Sequence, residues 1–199
     1  MDTVERVMSY GTLLETQLAC IAQHLRDHCT HIAKHDPNDP NDPNDPNDRL
    51  CVVLDIDETV VRNLECVRGT RPRDAPAPPI PETQPLRHVL DELGIAYAFV
   101  SSRGADLEEV TRADLERAGW GGYCRLILPD TQLDSAADVA AFKHHARCQI
   151  AQAYTIIATV GDQVTDLLGE PLGQPFLLYN PYYRVDPLTG DDATYGESE

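Results

Sequence analysis

The sequence has few basic residues and no long apolar run. Among its 199 residues, 16 are Lys or Arg and 33 are Asp or Glu, for a formal net charge of −17 at pH 7. Duplex nucleic acids and anionic membranes are bound mainly through Lys and Arg, so this balance argues against both partners. No stretch approaches the roughly 18 apolar residues of a membrane span, and no basic segment followed by an apolar one opens the chain. We therefore expect a cytoplasmic protein without a signal peptide or transmembrane segment.

Paired cysteine motifs are also absent. The chain has six cysteines and no CxxC pair, so we expect reduced thiols and exclude a disulfide scaffold. The six are Cys20, Cys29, Cys51, Cys66, Cys124 and Cys148.

Two segments hold much of the acidic excess. Residues 36–48 and 186–199 contain ten acidic residues and no Lys or Arg, which leaves 23 acidic and 16 basic residues, a net charge of −7, in the rest of the chain. Residues 36–48 repeat Asn-Asp-Pro, in which each Pro disfavours helix and no side chain can build a core. We predict a helical segment over residues 1–35, a linker over 36–48, a folded domain over 49–185 and a flexible acidic tail over 186–199.

Apolar residues over residues 4–32 recur at spacings of three, four or seven, which predicts one helix or two helices broken near Gly11. This apolar stripe is expected to pack on its own domain or on a second copy, so a homo-oligomer through the helix is one predicted assembly. A neighbouring face carries four histidines, which we interpret as a solvated or partner-facing flank, with a metal site as the alternative. They are His24, His28, His31 and His35.

Beyond residue 48, apolar strand-like runs alternate with helical patterns. This alternation predicts an α/β fold with a parallel sheet, whose functional site lies at the carboxyl ends of the strands. The predicted strands cover residues 50–54, 95–100, 125–128, 155–160 and 175–179. The predicted helices cover residues 85–93, 106–117 and 135–152.

The strongest motif is the string Asp55-Ile56-Asp57-Glu58-Thr59, directly after the first predicted strand. Two carboxylates placed two residues apart at a strand end can both face the crevice. One can attack phosphorus while the other serves as general acid and then general base. The alternative interpretation is a strand end with acidic turn residues.

Polar residues at later strand ends favour the first interpretation. Ser101, Ser102 and Arg103 follow the second strand, where a hydroxyl and backbone amides can hold a phosphoryl oxygen. Lys143 lies early in the long helix and can stabilise negative charge on a transferring phosphoryl group. Taken singly, Ser-Ser-Arg is typical of a loop and a helical Lys is typical of a solvated surface.

The fourth strand leads into a further pair of carboxylates. Asp162 follows this strand directly, and Asp166 comes one helical turn later. Several carboxylates without a convergent His or Cys cluster are typical of Mg²⁺ ligands. The sequence therefore predicts a magnesium site at the same edge of the sheet.

Taken in this order, the motifs resemble the haloacid dehalogenase-like (HAD) phosphatase superfamily, and more closely its acid phosphatase branch of the IIIB type, which includes plant vegetative-storage-type and bacterial acid phosphatases. The resemblance rests on residues 54–59 with Asn63, on residues 161–169 and on residues 176–183. It implies a HAD-like Rossmannoid fold of three layers. Ser102 departs from the Gly or Asn common in the family, and Val164 from the Trp common in this branch.

The resemblance also implies roles for individual residues. Asp55 would be the nucleophile that forms an aspartyl-phosphate, and Asp57 the general acid and base. Ser101 would bind phosphate, and Lys143 would stabilise charge. The implied Mg²⁺ ligands are Asp55, the carbonyl of Asp57 and Asp162, while Asp166 would ligate the ion or orient its water. The predicted substrate-binding residues are Ser102, Arg103 and Asn63.

Spacing argues against a large cap domain over the site. Only 43 residues separate Asp57 from Ser101, and 14 separate Leu128 from Lys143. Residues 71–85 would then be either a plain connection or a flap that contacts substrate. An open crevice would admit a phosphorylated macromolecule, but the net charge of −7 outside the two acidic segments disfavours nucleic acid, so we expect small phosphomonoesters as substrates.

We therefore predict a Mg²⁺-dependent phosphomonoesterase of the acid phosphatase type. One alternative is a storage or binding protein with little activity on the same fold, which the presence of Asp55 disfavours. Another is a phosphatase of a macromolecule, either a nucleic-acid end or a phosphoprotein. A phospho-accepting receiver domain is disfavoured, because receivers place the accepting Asp on a later strand and lack a GDxxxD string.

Overall fold

The computed structural model of the protein describes residues 3–32, 49–185 and 192–194. The α-helices are α1 (Thr3–Ile32), α2 (Leu64–Val67), α3 (Gln84–Leu93), α4 (Glu108–Arg117) and α5 (Ala136–Ile150). The strands are β1 (Leu50–Leu54), β2 (Ala96–Val100), β3 (Arg125–Ile127), β4 (Thr155–Gly161), β5 (Gln174–Leu177), β6 (Tyr183–Val185) and β7 (Asp192–Thr194). Short 3-10 turns cover Pro81–Thr83, Ala105–Leu107 and Val164–Leu167.

Five parallel strands form the central sheet in the order β3-β2-β1-β4-β5. The central strand β1 pairs Leu54 with Phe99 of β2 on one side and with Val160 of β4 on the other. Because these strands are parallel and in register, their carboxyl ends meet at one edge of the sheet. The predicted α/β fold is confirmed, and its topology brings the strand-end motifs together.

Burial on both faces of the sheet explains the uninterrupted apolar sequence of β1. Val52 and Leu54 belong to the larger core, which also holds side chains of α1, α3 and α4. Cys51 and Val53 belong to a second core on the opposite face, where they meet α5. The protein therefore has three layers, with helices on both faces of the sheet.

Helix α1 is continuous through Gly11 and packs on the chain's own core. The Gln17 side chain donates from Nε2 to the Leu177 carbonyl oxygen at 3.0 Å and accepts the Tyr179 N–H at 2.9 Å, which fixes the helix beside the end of β5. The buried side chains at its core-facing positions are Leu14, Leu18, Ile21, Ala22 and Leu25. Between Leu14 and Leu25 the apolar stripe is thus covered within the chain, and assembly through this helix stays a prediction.

The histidines of α1 lie beside the packed stripe. The His24 ring packs edge-on against Phe176, with 5.5 Å between the ring centroids, and its Nε2 lies 3.4 Å from the Ile157 carbonyl oxygen. His28 lies one turn further along, and burial together with the charges of His24 and His31 lowers its pKa. His35 lies outside the described residues. Among the residues that the structure describes, these histidines do not form a metal-binding cluster.

The loop between α2 and α3 is pinned to the turn that follows β1. The Arg62 N–H donates to the Pro78 carbonyl oxygen at 2.7 Å, and the Ile80 N–H donates to that of Val60 at 3.0 Å. The structure describes the connections 55–95 and 128–135 completely, and neither contains a cap domain. The crevice at the strand ends is therefore bordered by a short loop.

Three further elements were not predicted from the sequence. They are the four-residue helix α2, which follows β1, strand β6 at the end of the predicted domain, and strand β7, which pairs antiparallel with β6 and lies inside the segment expected to be a flexible tail. The linker predicted over residues 36–48 lies outside the described residues. No helix in the described ranges is long and apolar enough to cross a membrane, and the cytoplasmic location stays a prediction.

Candidate active site

Asp55 lies at the carboxyl end of the central strand. Its N–H donates to the Val160 carbonyl oxygen of β4 at 2.9 Å, and only 7% of the residue is exposed. The chain then turns sharply, because the N–H groups of Val60 and Val61 both donate to the Ile56 carbonyl oxygen. This turn places Asp57 beside Asp55 at the same edge of the sheet.

The turn contains an unusual backbone conformation at Glu58, whose φ angle is 51°. This buried residue accepts the N–H of Asn63 at 2.6 Å and that of Leu64 at 2.9 Å with Oε1. These amides lie at the start of α2, where unpaired N–H groups favour an anion. Glu58 therefore supports the turn that carries both catalytic candidates.

Lys143 joins two carboxylates from different strand ends. Its Nζ lies 2.5 Å from Oδ1 of Asp55 and 2.5 Å from Oδ1 of Asp166, and the residue is buried. Burial opposes the charged form of this ammonium, but Asp166 and Asp55 outweigh burial and raise the pKa of Lys143. The side chain is therefore a fixed cation inside the site.

Three buried aspartates form a cluster of oxygen atoms. Asp55, Asp162 and Asp166 each offer a carboxylate oxygen, and these oxygens lie within 4.8 Å of one another. Asp162 is held by Nδ2 of Asn180 at 2.7 Å and Nε2 of Gln163 at 2.5 Å. The cluster therefore combines the ends of β1 and β4, as the magnesium prediction requires.

The cluster holds more negative charge than its one ammonium group balances. Burial raises the pKa of Asp55 to about 7. The attraction of Lys143 opposes this rise, and the repulsion of Asp166 and Asp57 adds to it. Burial and the same kind of repulsion raise the pKa of Asp162 well above its usual value. A hard divalent cation among these oxygens would supply the missing positive charge, so the donor set fits such an ion.

Asp57 faces a different partner. Its carboxylate accepts hydrogen bonds from Nη2 of Arg103 at 2.6 Å and from Nε of Arg103 at 3.0 Å. Asp57 is not part of the oxygen cluster. Arg103 in turn donates from Nη1 to Oδ2 of Asp114 at 2.9 Å. The two carboxylates of the motif after β1 are therefore held by two separate cations.

The remaining predicted residues lie around this centre. Ser101 is buried at the end of β2, and its Oγ accepts the Arg103 N–H at 3.3 Å. Ser102 is exposed, and Asn63 accepts Nη2 of Arg71 at 3.0 Å. The substrate contacts predicted for Ser102, Arg103 and Asn63 stay predictions.

Arg147 is a supporting residue that the sequence did not single out. It is only 1% exposed and donates to the carbonyl oxygens of Asp166 at 2.7 Å and Gly169 at 3.1 Å, and also to that of Leu168. The one available signal was its position four residues after Lys143, on the same face of α5. Lys143 therefore binds the Asp166 side chain while Arg147 holds its loop.

A glycine allows the Asp166 loop to close tightly. A Cβ on Gly161 would overlap the Asp166 carboxylate, so only Gly fits at the end of β4. Asp166 also accepts the Gln163 N–H with Oδ2 at 2.8 Å. These contacts hold the last member of the cluster in place.

The fold and this site define a phosphatase-like α/β protein, and comparison with known families agrees. The family described as HAD superfamily, subfamily IIIB (acid phosphatase) matches residues 70–186, more than half of the chain. The chain belongs to this family. The matched range contains Ser101, Lys143 and Asp162 but begins after Asp55 and Asp57.

Relatives of the chain include plant proteins. A stem 28 kDa glycoprotein of Glycine max is 39% identical over 112 residues, which cover 55% of this chain and 44% of that protein. Vegetative storage protein 2 of Arabidopsis thaliana is 30% identical over 149 residues, which cover 67% of this chain and 56% of that protein. The chain thus spans about half the length of the curated relatives it matches.

Solved structures share the fold. A class C acid phosphatase from Bacillus anthracis superposes with a TM-score of 0.65 at 18% sequence identity, over 88% of this chain and 80% of that one. The same kind of phosphatase from Bacillus anthracis with tungstate bound gives a TM-score of 0.63 at 16% identity, with the same coverage. These similarities establish the fold.

Proposed function

We propose that the protein is a Mg²⁺-dependent phosphomonoesterase that acts through an aspartyl-phosphate on Asp55. The observation that carries the proposal is the buried contact between Asp55 and Lys143 beside Asp162 and Asp166. If the pair of Lys143 and Asp55 served only to stabilise the fold, it would not require the carboxylates of Asp162 and Asp166 beside it. A site that neutralises a transferring phosphoryl group needs both the cation and the metal ligands.

In the proposed first step, a carboxylate oxygen of Asp55 forms a bond to phosphorus while the bond from phosphorus to the leaving oxygen breaks. Asp57 gives a proton to that oxygen, so the alcohol leaves uncharged. Lys143 and the Ser101 hydroxyl would hold the phosphoryl oxygens. In the second step Asp57 takes a proton from water, the water oxygen bonds to phosphorus, and the Asp55 carboxylate is released with inorganic phosphate.

The metal would be held by the side chains of Asp55, Asp162 and Asp166, with the carbonyl of Asp57. Mg²⁺, when bound, supplies positive charge that stabilises the negative phosphoryl oxygens. Lys143 remains necessary because it restrains the repulsion between Asp55 and Asp166. Arg147 keeps the backbone around Asp166 in position.

The proposed substrates are small phosphomonoesters. The loop beside the crevice contains only short turns, so little encloses the substrate, and the net charge of −17 disfavours polyanions. A phosphorylated macromolecule is the alternative substrate class for the same chemistry.

A storage role is the second candidate function. It is favoured by the relatives named vegetative storage proteins, which are 30% to 35% identical to this chain over the aligned residues. It is disfavoured by the intact set of Asp55, Asp57 and Lys143, since storage alone requires no buried cation between carboxylates.

Purified protein assayed on a panel of phosphomonoesters, with Mg²⁺ and with excess chelator, tests the proposal. We expect metal-dependent phosphate release from several small esters. The Asp134→Asn variant, which removes an exposed carboxylate outside the aspartate cluster, is a matched control for Asp55→Asn. Absence of turnover on every ester with Mg²⁺ present would favour the storage role.

A further inference from the structure

A buried carboxylate outside the predicted motifs lies behind the general acid and base. Asp114, on helix α4, is only 1% exposed. Its Oδ2 accepts Nη1 of Arg103 at 2.9 Å, and its Oδ1 accepts Nη1 of Arg117 at 2.9 Å and the Ala77 N–H at 2.9 Å. A buried carboxylate with three donors is well satisfied, so this position is specifically built for an anion.

The planar shape of the Arg103 guanidinium connects Asp114 to Asp57. One end of the group, Nη1, is held by Asp114 and by the Thr111 hydroxyl at 3.4 Å. Fixing that end fixes the plane of the guanidinium, and its other edge, Nε with Nη2, then meets the Asp57 carboxylate. The side chain of Arg103 is 10% exposed, so few other orientations are open to it.

We propose that Asp114 is a positioning residue for the general acid and base, acting on Asp57 through Arg103. This inference rests on the proposed phosphomonoesterase function. When Asp57 gives its proton to the leaving oxygen, it becomes a carboxylate, and a correctly oriented Arg103 stabilises that developing charge. Asp114 supplies the orientation.

The same carboxylate also joins α4 to the loop beside the crevice. Asp114 accepts the Ala77 N–H, and Arg117 donates to the Ala77 carbonyl oxygen at 3.2 Å while also pairing with Asp114. The position of the loop and the orientation of Arg103 are therefore set by one side chain. Loss of Asp114 would disturb the proton-transfer geometry without removing a group that contacts the phosphoryl.

Leaving groups of different basicity separate this role from a merely structural one. A 2,4-dinitrophenolate leaves as an anion and needs no proton, whereas an alkoxide from an alkyl phosphate needs the Asp57 proton. The quantity compared is kcat/KM, which reports only the steps up to the first irreversible one. The readout is kcat/KM for the alkyl ester divided by kcat/KM for the dinitrophenyl ester, measured on the full chain with Mg²⁺.

For Asp114→Asn we expect this ratio to fall by about tenfold or more, a part of the 10²- to 10⁴-fold that general acid catalysis typically contributes. Adding Asp114→Asn to Asp57→Asn should lower the ratio no further, because both act on one proton transfer. Glu109→Gln, which removes an exposed carboxylate from the same helix, is the matched control and should leave the ratio unchanged.

The outcomes are distinguishable. An unchanged ratio, whether both esters lose activity equally or neither does, would overturn the positioning role while leaving the proposed function intact. Failure of the wild-type chain to hydrolyse either ester would overturn the proposed function as well. If Asp114→Asn does not fold, Arg103→Lys serves the same test, since Lys keeps the charge but lacks the planar fork, and an unchanged ratio there would overturn the inference.

Discussion

Nζ of Lys143 lies 2.5 Å from Oδ1 of Asp55, although the two residues are 88 positions apart in the chain. Both groups are buried, so their attraction is little weakened by water. The ammonium favours the charged form of Asp55 against the effect of burial, at the carboxyl end of the central strand where a nucleophile for phosphorus is required. Asp55 is also one of the three aspartates whose carboxylate oxygens form a cluster suited to a divalent cation.

Replacing Asp55 by Asn should abolish turnover while the fold persists. The amide keeps the shape of the side chain but cannot form the aspartyl-phosphate, so we expect phosphate release from an activated aryl phosphate to fall by at least about a thousandfold. Circular dichroism and thermal unfolding, run beside Asp134→Asn, check that the variant is folded. Turnover within a few-fold of wild type would reject Asp55 as the nucleophile.

Mg²⁺ should stabilise the protein against heat. A ligand at about a hundred times its Kd adds about 2.7 kcal/mol, which corresponds to a rise in Tm of about 5 to 10 °C for a domain of this size. The rise should disappear in excess chelator and in Asp162→Asn. An equal rise in that variant would place the metal elsewhere.

The Arg147→Lys substitution should destabilise the loop that carries Asp166. Lys cannot reach the carbonyl oxygens of Asp166, Leu168 and Gly169 together, so we expect a loss of about 2 to 4 kcal/mol in the free energy of unfolding. Urea unfolding measures the loss. Arg112→Lys, at an exposed arginine of α4, is the control with an expected change below about 0.5 kcal/mol.

Helix α1 should contribute to global stability through its apolar stripe. Leu25 is fully buried, so Leu25→Ala is expected to cost about 2 to 5 kcal/mol, whereas Leu13→Ala at a 41% exposed position should cost less than about 0.5 kcal/mol. Denaturant unfolding of both variants makes the comparison. Equal small effects would mean that the helix is detached in solution.

Substrate size is tested with a nucleoside monophosphate and a 5'-phosphorylated oligonucleotide at fixed salt. Because the chain is strongly acidic, we expect no preference for the oligonucleotide. A preference in kcat/KM above about a hundredfold, or about 2.7 kcal/mol, would favour the macromolecular alternative. The assay is repeated at higher salt, because salt weakens a preference that depends on long-range charge and leaves one that depends on specific contacts largely unchanged.

Several features followed from local sequence patterns. The apolar run of β1 predicted a strand buried on both faces, and its observed bounds, Leu50–Leu54, match the prediction. Asp55 and Asp162 were selected because residues at the carboxyl ends of parallel strands converge, and Lys143 was selected because a cation in the following helix can stabilise a transferring phosphoryl group. Helix α3 ends at Leu93, as predicted, and the next residue, Gly94, has a φ of 66° that suits glycine.

The partners of the polar side chains depended on tertiary structure. The substrate contact of Arg103 stays a prediction, whereas its contacts with Asp57 at the fork and with Asp114 at the other end became known only from the structure. Only its spacing of four residues from Lys143 distinguished Arg147 from a solvated arginine, and no pattern in the sequence indicated the pairing of β6 with β7.

The chain by itself determined which segments are buried, because burial follows from the period of apolar residues along a helix or strand. It also determined which carboxylates stand at strand ends, because strand ends are marked by the change from apolar to polar residues. Only the three-dimensional fold decided which cation meets which carboxylate, since that depends on the strand order and on the distance between side chains far apart in sequence. The contacts Lys143–Asp55 and Arg103–Asp57 were therefore set by packing rather than by any local motif.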